Sequence, residues 1–334
     1  MTKKLLLYGG GATLLLLFSF ILSLSIGSSM IPINDVWSTL LGKGNEVTEA
    51  IVINVRLPRI TLAILVGSAL AVAGAGFQGI LRNPLADPYI LGVSSGASVG
   101  AAFIILFGLQ SALFGKYSIP VVAFITGVLT LFVVIKIAMR NGQLQKETLI
   151  LSGVIVQAFL GSFISLMVSL SDTVLNEIIF WMMGSVTMRG WEYPQMMAPY
   201  LLIGIIILLT QGRALNLFAL GERQALHLGV AIERTKMTVL ITSTLLTAAA
   251  VSVAGVVGFV GLIVPHLIRL VVGPDYRLII PLSVVVGSIY VLWADTIARM
   301  ALMPKEIPLG VVTALLGAPF FAYLLKKGKK GINL

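Results

Sequence analysis

Residues 60–81 read ITLAILVGSALAVAGAGFQGIL, and this stretch decides the fold. It holds 22 residues without a formal charge. That length is enough for an α-helix to cross the ~30 Å hydrocarbon core of a bilayer. In lipid, every backbone polar group needs a partner within the protein, so an uninterrupted apolar stretch of this kind must be helical. The sequence therefore predicts a transmembrane helix here.

Nine further apolar runs have the same character, so we expect an all-α polytopic membrane protein with about ten transmembrane helices in one domain, residues 1–334. Composition agrees, because 58% of the chain is hydrophobic and only 11% is charged, whereas soluble domains carry about 25% charged residues. The ten predicted spans are 5–27, 60–81, 88–109, 117–139, 148–170, 193–212, 237–256, 259–272, 278–298 and 309–326.

The basic residues predict the orientation. With ten spans and a cytoplasmic N-terminus, 16 of the 23 Lys and Arg residues lie on the inner side, as the positive-inside rule requires. The charge-free run 237–268 could be one helix or two. A single helix would turn the rest of the chain over, place the lysine-rich end outside and remove the asymmetry. Gly255, Gly258 and Pro265 also favour a break. We therefore expect two helices there, with both termini cytoplasmic.

Three connecting segments are expected to hold structure of their own. The external loops 28–58 and 171–192 each carry a short interfacial helix, since both contain the Trp residues favoured at a bilayer surface. The cytoplasmic segment 211–236 has LNLFALGERQALHLGV at its centre, which predicts two short amphipathic helices. Helices of this kind suit docking into a groove of another protein.

Two stretches of sequence resemble one another. Residues 72–84 read VAGAGFQGILRNP and residues 253–265 read VAGVVGFVGLIVP. In the predicted topology the first copy runs towards the cytoplasm and the second runs away from it. The sequence therefore predicts inverted repeats, helices 2–5 and helices 7–10, an arrangement found in many transporters.

Several kinds of chemistry are disfavoured by what the chain contains. There is no cysteine and there are only two histidines, so we expect no metal or cofactor bound by this chain itself. No G-x-x-x-x-G-K-[ST] motif occurs, so any ATP and Mg²⁺ would be bound by a partner. The net charge of +10 is interpreted as cytoplasmic loops and contact with lipid, and not as nucleic-acid binding.

Three motifs suggest other functions. The glycines of GAGFQG at 74–79 match a dinucleotide fingerprint, but they fall inside a predicted membrane helix and indicate close helix packing. Ser94 lies in a G-x-S-x-G motif, so an intramembrane serine hydrolase with His266 as its base is an alternative. Asp295 and Arg299 share a helix face, and they are either a structural ion pair or part of an ion-coupled secondary transporter.

Motifs spread over nearly the whole chain resemble the FecCD-type (BtuC-like) permease family, the membrane subunits of ATP-binding-cassette (ABC) importers for ferric siderophores, haem and cobalamin. These motifs are RLPR at 56–59, NPLADP at 83–88, LGVSSGA at 91–97, WMMGS at 181–185, ALGE at 219–222, GLIVPHLIR at 261–269, ADTIAR at 294–299 and EIPLGVVTALLGAPFF at 306–321.

The resemblance implies a type II ABC importer permease in a bacterial plasma membrane. It implies three kinds of partner, namely a pair of ATPase subunits, a second permease chain that is the same or different, and an external substrate-binding (lipo)protein. The residues it places at the ATPase are Leu220, Gly221, Glu222, Ala225, Leu228 and Gly229. The residues it places against acidic groups of the binding protein are Arg56, Arg59 and Arg299, which suits the bidentate pairing of arginine with carboxylates.

The resemblance also implies that the fifth helix lines the translocation pathway. Its polar residues either face a wet path or bond to neighbouring helices. They include Ser152, Gln157, Ser162 and Ser165. The inner gate would be the segment 144–148, which holds Lys146 and Glu147. The sequence does not identify the substrate, for which a ferric siderophore, cobalamin and haem all remain open.

Overall fold

The computed structural model describes residues 2–27, 29–111, 114–171 and 173–328, so Lys329 and Lys330 of the predicted cytoplasmic end lie outside the described residues. Within these ranges the chain is almost entirely helical. The α-helices are α1 (Thr2–Ser25), α2 (Ile33–Leu40), α3 (Glu46–Glu49), α4 (Leu57–Leu81), α5 (Val93–Leu106), α6 (Ser118–Ala138), α7 (Lys146–Ser169), α8 (Leu175–Met182), α9 (Glu192–Ala219), α10 (Glu222–His227), α11 (Ile232–Ala254), α12 (Val260–Val272), α13 (Tyr276–Met300) and α14 (Leu309–Gly328).

Short elements join some of these helices. A π-helical stretch, Ala50–Arg56, connects α3 to α4, and 3₁₀ turns lie at Pro88–Leu91 and Gly115–Tyr117. A two-stranded hairpin, β1 (Met139–Arg140) and β2 (Gln143–Leu144), connects α6 to α7 and pairs Met139 with Leu144.

The predicted all-α membrane architecture is confirmed. Among the described residues, seven helical stretches are long and apolar enough to cross a bilayer, and they contain α1, α4, α6, α7, α9, α11 and α13. Three shorter apolar helices, α5, α12 and the first part of α14, occupy the other predicted spans. A helix of 14 residues, such as α5, is only about 21 Å long. Helices α5 and α12 therefore need their irregular flanks to complete a crossing, whereas α14, with 20 residues, is long enough by itself.

The charge-free run 237–268 forms two helices, as predicted. Helix α11 ends at Ala254, Gly255 adopts φ +70°, and α12 begins at Val260. Positive φ is accessible to glycine without a steric penalty, which is why the chain can turn at this point. Because of this break, α12 is a separate span. The number of spans therefore stays at ten, the number on which the predicted orientation depends.

Contacts between helix ends show which ends lie on the same side of the membrane, and they require an even number of crossings between the paired ends. The guanidinium group of Arg299, at the end of α13, donates to the carbonyl oxygen of Ile26, just after α1. At the other end of the bundle, Asn216 near the end of α9 donates to Asp275, which precedes α13. Counting ten spans puts both partners of each pair on the same side of the membrane. Merging α11 and α12 into one span would separate the partners of both pairs.

Helix α4 is the central helix, and it contacts α9, α11, α12 and α13. Its glycines allow these close approaches. A Cβ atom at Gly67 would overlap the carbonyl oxygen of Gly287 on α13, and one at Gly74 would overlap that of Gly261 on α12. Small residues let backbones approach closely in membranes, where apolar side chains gain little by leaving lipid. The glycines of 74–79 therefore serve helix packing, as predicted.

Helix lengths support the predicted repeat. Helices α4 to α7 have 25, 14, 21 and 24 residues, and α11 to α14 have 23, 13, 25 and 20. In both groups the second helix is short. The local sequence match is less faithful, because residues 72–81 are helical throughout whereas residues 255–259 form the break. The similarity of the two halves therefore lies in the order of long and short helices more than in the matched residues.

Some expectations for the connecting segments are wrong in detail. The predicted loop 28–58 contains α2, but a continuous helix already begins at Glu46, and its π-helical turns lead into Pro58. Proline lacks an N–H group and clashes with the preceding turn, which accounts for the widened helix. In 171–192 the short helix is α8, which ends at Met182.

Candidate functional site

The segment 211–236 contains one separate short helix, α10, where the sequence predicted two. Helix α9 continues to Ala219, so the first half of this segment is the last part of a long helix. Gly221 adopts φ +117° at the turn into α10 and Gly229 adopts φ +84° after it. The N–H of Val230 donates to the carbonyl of Ala225, and that of Gly229 to Leu226, which is the Schellman pattern at a helix end.

Helix α10 has a buried side and an exposed apolar side. Ala225 is fully buried against Phe218 and Val230, and Gly221 is buried as well. Three leucines are more than half exposed, namely Leu226 in α10, Leu220 just before the helix and Leu228 just after it. Of the residues predicted to contact an ATPase, Leu220, Leu228 and Gly229 are accessible. Ala225 and Gly221 instead shape the chain itself, because a small residue lets α10 lie flat against the end of α9.

Glu222 begins α10 and is bound by two lysines from other segments. Its carboxylate lies 3.2 Å from Nζ of Lys146, at the start of α7, and 2.8 Å from Nζ of Lys236, on α11. Partial burial alone would raise the pKa of Glu222, but the hydrogen bonds and positive charges of Lys236 and Lys146 outweigh it and lower the pKa below its usual value. Glu222 is therefore ionised at neutral pH.

The predicted gate residues Lys146 and Glu147 form the first turn of α7, directly after the hairpin. Lys146 is paired with Glu222, whereas Glu147 is exposed beside it. The structure therefore connects the predicted gate segment directly to α10.

The three arginines predicted to meet an external protein lie at one end of the helical bundle but are buried. Arg56, Arg59 and Arg299 are 4%, 7% and 6% exposed. The guanidinium group of Arg56 donates to the carbonyl oxygens of Leu24 and Ser25, at 2.6 and 3.0 Å, and to that of Ser29. Arg56 therefore closes the end of α1 and has no guanidinium face turned outwards.

Arg59 holds two carboxylates at once. Its Nε and Nη2 atoms donate to Asp295 on α13 at 2.8 to 3.1 Å. Its Nη1 and Nη2 atoms donate to Glu306 at 2.9 and 3.0 Å, and Thr187 also donates to Glu306. Burial would raise the pKa of Glu306, but the bonds from Arg59 and Thr187 lower it. A carboxylate from outside could reach Arg59 only by displacing Glu306.

Arg299 completes this cluster from inside the protein. Its Nη2 atom donates to Oγ of Ser23 at 2.6 Å, and its Nε atom lies 3.3 Å from Asp295. All three arginines are therefore buried in this structure, and their docking to an external protein stays a prediction. Their motifs show only that arginine is present. Arg59 is buried because it pairs with Asp295 and Glu306. The motifs ADTIAR and EIPLGVVT contain these two carboxylates, but the sequence alone did not pair them with Arg59.

The polar residues predicted on the pathway helix α7 fall into two groups. Ser152 is buried, and so does not face an open path. Gln157, Ser162 and Ser165 are exposed on α7. The hydroxyl groups of Ser162 and Ser165 donate to carbonyl oxygens of their own helix, at 3.2 and 3.1 Å, instead of bonding to neighbouring helices.

The residues on which the alternative functions depend, Ser94, His266 and Asp295, have surroundings that indicate structural roles. Ser94 is buried in the first turn of α5, and no hydrogen bond joins it to His266 within the described ranges. The ring of His266 packs edge-on against Phe321. Asp295 is paired with Arg59 and Arg299, which is the structural ion pair that the sequence offered as one of its two interpretations.

Sequence analysis missed three residues at the α10 site. Leu226 is 60% exposed beside the predicted leucines, and its spacing of two residues from Leu228 was visible in the sequence. Lys236 binds Glu222, and both Lys236 and Glu233 bind Leu144 of the hairpin. No local pattern indicates the contacts with Leu144, because they join residues 89 and 92 positions apart.

The chain is a bundle of about ten apolar helices, and between two of them lies the short helix α10, which carries the ionised Glu222 beside exposed leucines. This arrangement is typical of the membrane subunit of a transporter. Residues 15–327 match the FecCD transport family, and the chain belongs to this family of ABC importer permeases.

Relatives of this chain cover most of its length. The ABC transporter permease protein YvrB of Bacillus subtilis, which is named as uncharacterised, is 44% identical over 322 residues, 94% of this chain and 91% of that protein. The cobalamin import system permease protein BtuC of Halobacterium salinarum is 43% identical over 287 residues, 84% of this chain and 74% of that protein. A solved structure described as an inward-facing metal-chelate type ABC transporter is 36% identical, with a TM-score of 0.85 and coverage of 98% and 100%.

Proposed function

We propose that this chain is the permease subunit of an importer that moves an iron–siderophore complex, or else cobalamin or haem, into the cytoplasm. A separate ATPase supplies the energy and an external binding protein delivers the substrate. The observation that carries this proposal is the segment 220–228, which contains α10 and exposes three leucines although it lies outside the apolar spans. Exposed apolar groups rimmed by charges mark protein–protein contact sites. Family membership supports an ATPase as the protein that covers them.

The proposed setting is the bacterial plasma membrane, with both termini, the hairpin and α10 on the cytoplasmic side. The distribution of basic residues favours this orientation. The ion pair between Lys146, at the start of α7, and Glu222 of α10 supports a shared side for the hairpin end and α10.

Docking of the external protein would involve an exchange of partners at Arg59. Arg56 and Arg299 are held inside the protein and contribute mainly to its packing. Arg56 fixes the end of α1 to the start of α4, and Arg299 fixes it to α13. Arg59 is different, since Glu306, its outer partner, has a side chain that is 38% exposed. An acidic residue of a binding protein would take the place of Glu306 in a bidentate pair.

The exposed polar face of α7 supports a role in the pathway. Gln157, Ser162 and Ser165 lie on a helix that carries large apolar groups elsewhere on its exposed surface, including Phe159 and Phe163. A second permease chain, identical or different, would face this helix and enclose a path between the two subunits.

The substrate proposal is a metal chelate. It is supported by the cobalamin named for the archaeal relative and by the metal-chelate type named for the solved structure. The two histidines of this chain do not form a pair of ligands for haem, because His266 packs on Phe321 inside the bundle and His227 lies on α10. A ferric hydroxamate and cobalamin are therefore the first substrates to try.

Reconstitution tests the proposal. The chain is placed in liposomes with its ATPase and binding protein, and uptake of a ferric hydroxamate chelate and of cyanocobalamin is measured. We expect uptake of one of them that requires both partners and stops when the ATPase carries a substituted P-loop lysine. Uptake that persists with this inactive ATPase but collapses with a protonophore would contradict the proposal and favour an ion-coupled secondary transporter.

A further inference from the structure

Four charged side chains join the start of α7 to α10 and α11, which lie more than 70 residues further along the chain. Lys146 lies at the start of α7, Glu222 at the start of α10, and Glu233 and Lys236 in the first turns of α11. The segment 143–147 and α10 face one another across an open cleft of about 1000 Å³. Ion pairs cross this cleft, so the connection between α7 and α10 here is electrostatic.

Lys236 is the centre of the cluster. Its side chain is only 7% exposed, and an ammonium group buried to this degree needs partners for its three N–H donors. All three are provided, by Glu222 at 2.8 Å, by Glu233 at 3.1 Å and by the carbonyl oxygen of Leu144 at 3.2 Å. Lys236 therefore binds α10, its own helix and the hairpin at the same time.

The hairpin end is held at both of its backbone groups. The N–H of Leu144 donates to Glu233 at 3.1 Å, while its carbonyl accepts from Lys236. Two residues later, Lys146 reaches Glu222 at 3.2 Å. The last strand residue and the first turn of α7 are thus fastened to α10 and α11 by charge-assisted bonds, which are about twice as strong as neutral ones.

We propose that Lys146, Glu222, Glu233 and Lys236 form the link that makes α7 move together with α10. The inference rests on the proposed function, which places an ATPase at the exposed leucines of α10. When the ATPase displaces α10, Glu222 pulls on Lys146 and Lys236, and the start of α7 follows. The four residues act as positioning residues, since they carry movement between segments without touching substrate.

The hydration of the cleft suits such a link. Glu222 and Glu233 are 35% and 40% exposed, so water can replace a broken contact at low cost. A link made of packed apolar groups would hold the two segments rigidly. Ion pairs at a wet boundary can stretch, shift to the neighbouring carboxylate and form again.

Hydrogen exchange in the purified chain provides the first test. Lys236→Met and Glu222→Gln each remove charge-assisted bonds to the hairpin and α7, and we expect amide exchange in residues 144–150 to become roughly tenfold faster. Lys146→Arg retains the pairing and is expected to exchange like the wild type. Lys136→Gln is the matched control, because Lys136 is exposed just before the hairpin and has no ion pair in the described part of the chain. Exchange that stays at the wild-type rate in both test variants would overturn the proposal.

Transport per ATP provides the second test. In liposomes with the ATPase and binding protein, we expect Lys236→Met to hydrolyse ATP while importing roughly tenfold less ferric hydroxamate or cyanocobalamin per ATP than the wild type or Lys136→Gln. Equal uptake per ATP in Lys236→Met and wild type would refute the link alone. A wild-type chain that imports nothing in an ATPase-dependent manner would refute the proposed function instead. Glu222→Gln, which keeps its side-chain volume, serves if Lys236→Met does not fold.

Discussion

At the scale of single residues, the cluster of Arg59, Arg299, Asp295 and Glu306 shows that a motif can be recognised in a sequence while the contacts of its residues remain unknown. RLPR and ADTIAR place arginines at the ends of two helices, which the sequence shows. The structure adds that Arg59 and Arg299 share the carboxylate of Asp295, which is 1% exposed. Contacts such as Arg59 with Asp295 join residues 236 positions apart, and no local spacing reveals them.

Removing the charge of Asp295 should destabilise the protein strongly. Asp295→Asn leaves Arg299 without a carboxylate and Arg59 with only one, and breaking a buried pair in this way costs roughly 3 kcal/mol. Glu306→Gln is the comparison, since its side chain is partly exposed and the substitution should cost less. Reversible unfolding in detergent measures both. Equal effects of the two substitutions would show that burial does not control the strength of these pairs.

Glu306 should also oppose docking of the binding protein. Glu306→Gln loosens the bidentate pair on Arg59, so an external carboxylate can approach at lower cost, and we expect binding-protein affinity to rise several-fold. Glu49→Gln makes the same change of charge on the exposed helix α3 and should leave affinity unchanged. Affinity is measured with the chain in nanodiscs. Weaker or equal binding by Glu306→Gln would exclude Arg59 as a docking residue.

At the scale of elements, apolar length and charge predicted the helices well because lipid leaves the backbone few choices. The break after Ala254 was predictable from glycines and from the charge balance of the loops. The early start of the helix at Glu46 was not, since Pro58 and two arginines ordinarily mark a loop. There, π-helical turns accommodate the proline and internal carbonyls accept from Arg56, so tertiary contacts override the local preference.

The crossing of α4 and α13 should depend on glycine at its contact point. Gly67→Ala places a methyl group against the carbonyl of Gly287, and overpacking of this kind costs about 1 to 3 kcal/mol. Gly10→Ala on α1 is the matched control, because a Cβ there meets no atom within 4 Å. It should be neutral or slightly stabilising, as alanine is the better helix former. Thermal unfolding in detergent compares them, and a loss for Gly10→Ala as large as that for Gly67→Ala would contradict the packing argument.

At the scale of the whole molecule, contacts at both ends of the bundle agree on one topology. Ser23 and Arg299 meet at one end, and Asn216 and Asp275 meet at the other. The order of long and short helices repeats, as expected of two related halves. Loop charges predicted this arrangement from sequence. The ion pairs of Lys146 and Lys236 with Glu222 of α10 could not be predicted, because tertiary folding brings these residues together from separate helices.

The central claim is that α10 faces the cytoplasm and is covered there by an ATPase. The chain contains no cysteine, so Leu226→Cys introduces a single thiol on the exposed side of α10. A membrane-impermeant maleimide should label it in inside-out vesicles and not in intact cells or spheroplasts, and bound ATPase should protect it. Labelling of Leu226→Cys from the outside of intact cells would contradict the topology, the proposed coupling and the function built on them.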